Sequence, residues 1–579
     1  MRRIAIAILA LLLGSCTSPD VAVDAARPDA SEPVRDAAST PDAAIASDAS
    51  ADAEALGPAY YVRPTGDDAS AGTSPELAWR TLARVNEADL EPGDRVLLEG
   101  GASFDGTLQL DAEDMGTPAA PIVVSAFGEG RATLRAGDAR GVVLYNTAGI
   151  ELSRLDVVGS GRETNAEDGI VAFVDLPGDV KLEHLIIDDV DVSGFGKSGI
   201  VIGADNGNSG FRHVRITRAR AHDNAVSGIT VYGAWSETPT GYAMADVYIG
   251  HCVVHDNTGI AGLSHHTGSG IVIGGVDGGV IERSVAYANG RLNTAVGGPI
   301  GIWAWDSNDV TIQYNEAYEN RTDSSADGGG FDLDGGVTNS VMQYNYSHDN
   351  DGAGFLLAQY GGAPRPFANN VVRYNISQND GRRNGYGGIH FWTAASESAS
   401  NPVRDVDVYG NTIFVSPSAS GSPSALRFQT GTRDVRVHNN LFVTTGGVRL
   451  ADIASGQTGL LVQGNAYWSS GDDFRIVWRG TSYATLEAWR AATGQEQQGA
   501  LATGITADPR LTDAGGGATL GDADLLSTLA AYRLQPGSPL IDAGLDLGAL
   551  LGLPTGVEDY YGTLAPQGAG HDIGAHEAR

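Results

Sequence analysis

From residue 169 onward one short unit keeps returning: a small residue followed by an apolar strand. It stands at Gly169-Ile170, Gly199-Ile200, Gly228-Ile229, Gly270-Ile271, Gly301-Ile302, Gly330-Phe331, Gly354-Phe355, Gly388-Ile389, Ala425-Leu426 and Gly447-Val448. The intervals run from 22 to 42 residues and gather near 30. Between the units lie β-branched runs broken by Gly and Asn, with no helical periodicity. A unit this small has no partner for its apolar face. Stacked on its own copies, it builds a solenoid with one shared core. Three strands per turn of about 30 residues is the pattern of a right-handed parallel β-helix. The expected fold class is therefore all-β: a solenoid of about ten or more turns, with an N-terminal capping helix and an irregular C-terminal segment.

Two further recurrences fit that reading. One is His-Asp-Asn or a relative: HDN at 222, 255 and 348, YAN at 287, YEN at 318 and SQN at 377. The other is Asn315, Asn345, Asn375, Asn411 and Asn440, each beside an apolar strand. Asn tolerates the left-handed backbone of turns, and stacked Asn side chains hydrogen-bond along a ladder. These polar residues are expected to be structural.

Composition narrows the surroundings. Net charge is −34, and Lys181 and Lys197 are the only lysines. So acidic a chain is a poor partner for nucleic acid. Residues 1–16 read as a targeting signal, with MRR as a basic start and IAIAILALLL as an apolar stretch too short to span a bilayer. Leu-Gly-Ser-Cys follows, and it resembles the lipobox of bacterial lipoproteins. The resemblance implies lipidation of Cys16 and a lipid anchor in the cell envelope, with Thr17 favouring the outer membrane or cell surface. Residues 17–57, rich in Ala, Asp, Pro and Ser, read as a solvated tether. Beyond it, 58–140 is expected to hold the cap and first turns, 141–470 the repeat core and 471–579 the closing segment. With Cys16 lipidated, Cys252 has no disulfide partner and reads as a buried small hydrophobe. A monomer is expected.

The ends carry a resemblance. YYVRPTGDDASAGTSPELAWRTLARVNEADLEPGDRVLLEGG (60–101) and PAAPIVVSAFGEG resemble the N-terminal part of bacterial β-helix carbohydrate-active proteins of the pectin lyase-like superfamily, including pectate and alginate lyase-like families. The segment PELAWRTLARVNEADL would supply the capping helix. YRLQPGSPLIDAG (532–544) and GHDIGAHE (570–577) resemble the closing segment of the same superfamily. The resemblance implies the fold and a polysaccharide or glycan partner. It leaves the activity open, because this architecture hosts lyases, hydrolases, epimerases and adhesins.

The chemistry concentrates at DGGGFDLDGGVTN (327–339). A strand alternates its faces, so Asp332 and Asp334 point the same way. Pointing inward they would bury two unpaired carboxylates, so they are expected to face out. Aligning the repeats places Val171, Val201, Thr230, Val272, Trp303, Asp332, Leu356, His390, Arg427 and Arg449 in one outward row. Phe173, Gly203, Tyr232, Gly274, Trp305, Asp334, Ala358, Trp392, Gln429 and Ala451 form the next. Trp303, Trp305 and Trp392 on one outward strip suit the flat faces of sugars, and Arg427, Gln429, Tyr360 and Tyr386 suit their hydroxyls. The expectation is a solvent-facing saccharide groove around the carboxylates.

Three uses of that groove stay open. A glycoside hydrolase would use the Asp332 and Asp334 pair as acid and base or nucleophile, with Asp327, Asp306 or Asp351 able to replace one member, His390 a further catalytic candidate and no cofactor required. Polygalacturonase-type hydrolases share this fold and use an aspartate cluster. Their Gly-His-Gly and Arg-x-Lys motifs are missing here, so their residues are not carried over. A polysaccharide lyase or epimerase would hold Ca²⁺ on Asp306, Asp327, Asp332 and Asp334, with His390, Arg427 or Tyr386 as the base. A non-catalytic adhesin would use the same surface for capture alone.

Overall fold

The computed structural model describes residues 57–471, 473–552 and 557–579. The leader, Cys16 and the tether up to residue 56 lie outside the described residues.

The described chain is a right-handed parallel β-helix. Its inside is filled by one continuous apolar cluster running from Val62 to Trp489. Each turn contributes strands to three faces. One face is a sheet of 14 strands among the described residues. Eight consecutive members matter here: β1 (Ser198–Ala204), β2 (Ser227–Tyr232), β3 (Ser269–Gly274), β4 (Ile300–Trp305), β5 (Gly329–Leu333), β6 (Phe355–Gln359), β7 (Gly387–Thr393) and β8 (Ser424–Phe428). The other two faces merge into a 25-stranded sheet, because Ile150–Gly159 and Lys181–Ser193 each run through the corner between them. Arg154 and Asp189 take the left-handed backbone at that bend.

Asparagine ladders stitch the corners. At one, Asn315, Asn345, Asn375, Asn411, Asn440 and Asn465 stand above one another, all buried. The Oδ1 of Asn345 accepts the backbone N–H of Asn315 at 3.1 Å and its Nδ2–H at 3.0 Å. Asn345 passes both kinds of bond on to Asn375 and gives a third to the Ile312 carbonyl. The second ladder is Asn224, Asn257, Asn289, Asn320 and Asn350. Both ladders end on a carboxyl, Glu496 in the first and Asp380 in the second. A terminal member has only to accept, and a carboxylate does that without leaving a donor stranded. Within the SQN repeat the ladder position therefore falls one residue later than expected, on Asp380 rather than Asn379. Cys252 occupies the turn below Ser284 in the first corner, fully buried with its thiol pushed up to about 12 by burial, so it is inert packing.

The ends differ from the expectation in one detail. The N-terminal cap is irregular chain with a single helical turn, Leu82–Val85, and it seals the core through Trp79, Leu82, Val85 and Leu90. At the other end the helix Leu486–Thr493 drops Leu486 and Trp489 into the core. The chain then packs back along the third face. Leu526, Tyr532, Leu540 and Ile573 cover Tyr346, Ile376 and Phe414, and Glu316 accepts the N–H groups of Leu520 and Gly521.

Asn345→Ala removes the acceptor of two buried donors on Asn315 and strands the Ile312 carbonyl. We expect a loss of about 3–5 kcal/mol of unfolding free energy, read from thermal or denaturant melts, because each buried orphan costs about 1–3 kcal/mol.

Candidate active site

The ladder pairing fixes the outward row. Val171, Val201, Thr230, Val272, Trp303, Asp332, Leu356, His390 and Arg427 are successive register partners. The last step departs from the expected alignment: Arg427 pairs with Asp452, and Arg449 sits three residues earlier, opposite Ser424. The turn Gly446-Gly447 precedes that strand and shifts its frame.

The row faces away from the solenoid core, but the open groove is corrected by what covers it. Trp303 and Leu356 flank Asp332 and, with Val272, Ile300, Ala353 and Ala358, form a small apolar cluster outside the core. Trp305, Tyr386 and Trp392 pack around it, half-buried. Asp332 is consequently only 3% exposed, and its Oδ1 has no hydrogen-bond partner. Trp303 is no free sugar platform either: it is buried, donates its indole N–H to Ser269 Oγ at 3.1 Å and meets the His266 ring edge-on.

The two aspartates that flank this buried one are differently placed. Asp334 follows the end of β5 and is half-buried; its Oδ1 accepts the Gly335 N–H at 2.6 Å. Asp327 precedes β5 in a left-handed turn. Its Oδ1 accepts the Tyr386 hydroxyl at 3.0 Å, its Oδ2 accepts the Gly298 N–H, and its own N–H donates to the Tyr386 oxygen at 2.8 Å. The loop carrying Gly298 is shaped by buried Asn293, whose Nδ2 holds the carbonyls of Ala295 and Gly298.

These surroundings separate three chemically identical groups. Burial pushes Asp332 well above the usual carboxylate range, and the charges of Asp334 and Asp327 add to it. Burial lifts Asp334 to about 7, against the Gly335 hydrogen bond and with help from Asp327. Burial raises Asp327 too, but Gly298 and Tyr386 pull it back. Asp327 is thus the best hydrogen-bonded of the three, Asp334 holds a proton into the neutral range, and Asp332 is driven toward its uncharged form.

The remaining expected residues divide. His390 faces the same row but is sealed, with no exposed surface. Its Nδ1 accepts the Gly387 N–H at 3.2 Å, so the proton sits on Nε2 and is donated to Gln429 Oε1 at 3.1 Å. Burial holds its conjugate acid down at about 3. With both nitrogens engaged, His390 is not placed to act as a base, and Gln429, itself exposed, is its partner. Tyr386 positions Asp327, and burial keeps its phenol far above its ordinary value, so it stays protonated and supplies no phenolate to act as a base. Arg427 is half-buried with its guanidinium over Gly385, and no hydrogen bond or ion pair holds it among the described residues. Tyr360 lays its ring over the Gly335 backbone beside Asp334.

The proposed Ca²⁺ set does not assemble. Asp306 is buried and bonded to Arg365 Nε at 2.8 Å, which neutralises it. Among the described residues no group of three His, Cys, Asp or Glu is arranged to hold a metal ion. Protons on Asp332 and Asp334 lower the mutual repulsion of the three carboxyls.

Gly298, Asn293, Trp235 and Arg365 escaped the sequence reading. All four lie in irregular connections, where no repeat marks them. Tyr360 and Trp235 face one another through phenol oxygen and indole N–H, at the edge of hydrogen-bond geometry, and neither has another partner.

Comparison with known proteins places these observations. Residues 247–413 match the family described as right handed beta helix region. Lacto-N-biosidase of Bifidobacterium longum subsp. longum is 27% identical over 422 residues, covering 56% of this chain and 26% of that protein. The chain thus spans about a quarter of the length of the curated relative it matches. Among solved structures, GH136 lacto-N-biosidase from Eubacterium ramulus aligns with a TM-score of 0.46 and 18% identity, covering 69% of this chain and 65% of that one. Pectate lyase Pel9A aligns with a TM-score of 0.36 and 13% identity, covering 90% and 97%.

A carboxyl with a raised folded pKa costs stability once the unfolded chain has released its proton. The folded state holds protons on Asp332 that the unfolded state gives up near pH 4, so stability falls as pH rises above about 4. Asp332→Asn removes that dependence. Melts from pH 4 to 8 should show the variant gaining on the parent as pH rises, by up to about 1.4 kcal/mol per pH unit.

Proposed function

We propose that the protein is a glycoside hydrolase in which Asp334 donates the proton and Asp327 acts as the carboxylate. One observation carries this reading: two half-buried aspartates flank a buried one, and their surroundings lift one to an acid near neutrality while a backbone N–H and a phenol hydrogen-bond the other. Glycosidic bonds are cut by such a divided pair. Asp334 protonates the leaving oxygen as the bond breaks. Asp327, aimed by Gly298 and Tyr386, either attacks the sugar carbon or draws a proton from the attacking water. Asp332 stays neutral between them and shapes their electrostatics without touching the sugar. The indole rings of Trp305 and Trp392, half-exposed at the collar, offer apolar faces to the substrate.

The glycosidase named among the relatives supports the same reaction class. Elimination is less well served, since His390 is sealed and Tyr386 is tied to Asp327. We also propose that Cys16 carries a lipid and that residues 17–56 tether the enzyme to the envelope.

The test is a glycan hydrolysis screen scored by reducing ends and by ultraviolet absorbance of unsaturated products. Asp334→Asn and Asp327→Asn should each lower kcat/KM by about 10²–10⁴, while Asp332→Asn should stay within about tenfold. A substrate with an activated aryl leaving group needs no proton and should partly rescue Asp334→Asn alone. The parent rate should fall as pH rises past about 7, where Asp334 loses its proton. Ultraviolet-absorbing products would point to a lyase, and retention of glycan without any product would leave a binding protein. For the anchor, mass spectrometry of the mature protein should find acyl chains on Cys16, and Cys16→Ser should abolish them.

A further inference from the structure

A cleft opens beside the site on its N-terminal side. The ends of β1 to β5 deliver Asp205, then Gly233 to Trp235, then Gly275, then Asp306, then Asp334, in successive turns. All but Asp334 line one cavity of about 340 Å³, together with Asp179, Asn208, Thr240, Tyr242 and Arg365. Turns stack about 4.8 Å apart. The cleft therefore starts one turn from Asp334 and reaches five turns away at Asp179, roughly 5–24 Å along the axis. That is room for a short run of linked sugar rings.

Its walls are built rather than incidental. Arg365 bonds Asp306 and the Gly241 carbonyl and lies 4.0 Å over the Tyr242 ring, which pins the loop 233–243. Asn208 ties the far side by bonding Thr240 Oγ1 at 3.0 Å and Asp179 Oδ1 at 2.9 Å. Trp235 stands where the cleft meets Tyr360, and Tyr360 borders Asp334. The indole N–H and the phenol at this junction are buried and meet only each other, in poor geometry, which leaves bonding capacity that a ligand hydroxyl would fill. The charge is one-sided. Asp179 and Asp205 are carboxylates of the lining, and its one cation, Arg365, is already paired with Asp306.

We propose that this cleft is a glycan subsite selective for uncharged sugars, with Trp235 as its aromatic wall, so that the enzyme prefers an extended neutral chain over a uronic-acid one. The proposal rests on the glycosidase reading of Asp334. Carboxylates accept hydroxyl hydrogen bonds from neutral sugars and repel uronates, and an indole stacks on the apolar face of a pyranose.

The experiment uses the full chain with Asp334→Asn, which binds without turnover. Calorimetry measures three probes: a neutral tetrasaccharide that the parent hydrolyses, the disaccharide cut from its reacting end, and the tetrasaccharide oxidised at its primary alcohols to uronic acids. We expect Trp235→Ala to weaken the tetrasaccharide at least tenfold and the disaccharide less than twofold, with Trp235→Phe restoring most of the loss. The oxidised chain should bind at least tenfold more weakly than the neutral one, and Asp205→Asn should narrow that gap. Equal tetrasaccharide affinity with and without Trp235, or equal affinity for the oxidised chain, overturns the subsite while hydrolysis stands. If the parent hydrolyses and binds no glycan, the function falls and the subsite with it.

Discussion

The whole molecule depends on one repeated bond: a buried amide oxygen that accepts two N–H groups from the turn before it. A parallel solenoid gains little from local structure. Each turn must find the next in the right register, and a slip by one residue turns every side chain to the wrong face. Apolar strands alone do not forbid such a slip, because Ile on Ile packs much like Val on Ile. The ladders Asn315 to Asn465 and Asn224 to Asn350 do forbid it. A misplaced turn would leave buried donors without acceptors on both sides of the error.

Register precision is what makes a site possible on such a scaffold. Asp327 and Asp334 flank one strand, and Tyr386 reaches Asp327 from a later turn, across 59 residues. Rigid strands hold the row, while the proposed active groups Asp327 and Asp334 sit just before and just after β5, outside the strand. The cost of burying Asp332 is borne by this stack. Its register neighbours Trp303 and Leu356 offer no hydrogen bond, yet the ladders hold the strand in place regardless.

The parts of this architecture that repeat were legible in the residues. Nine successive members of the outward row paired as the alignment demanded, and the asparagines proved structural. The alignment failed at Arg449, where a two-glycine turn shifted the frame without changing the apolar pattern. Burial was the harder matter. Periodicity tells which way His390 and Trp303 point, but not that neighbouring loops and aromatic rings close over them. Gly298 and Trp235 act from connections that occur once, and a single glycine or tryptophan in a loop carries no periodic signal.

Three aspartates within eight residues would be a liability on an exposed strand, and the protein resolves it by unequal solvation. Asp332 is denied water and partners, so it keeps its proton. Asp327 is half-buried but given a backbone N–H and a phenol, which offset part of the rise that burial causes. Asp334 is left between these limits, in reach of solvent and of Asp327's field. The neutral middle residue then has a purpose that neither neighbour could fill. An anion there would drive Asp334 further up and keep it from releasing its proton to a leaving oxygen, whereas an apolar residue would surrender the dipole that a buried carboxylic acid offers both neighbours. The proposed acid and base flank one strand, and the ladder that helps set the position of that strand lies against it, with Asn350 packed on Gly330.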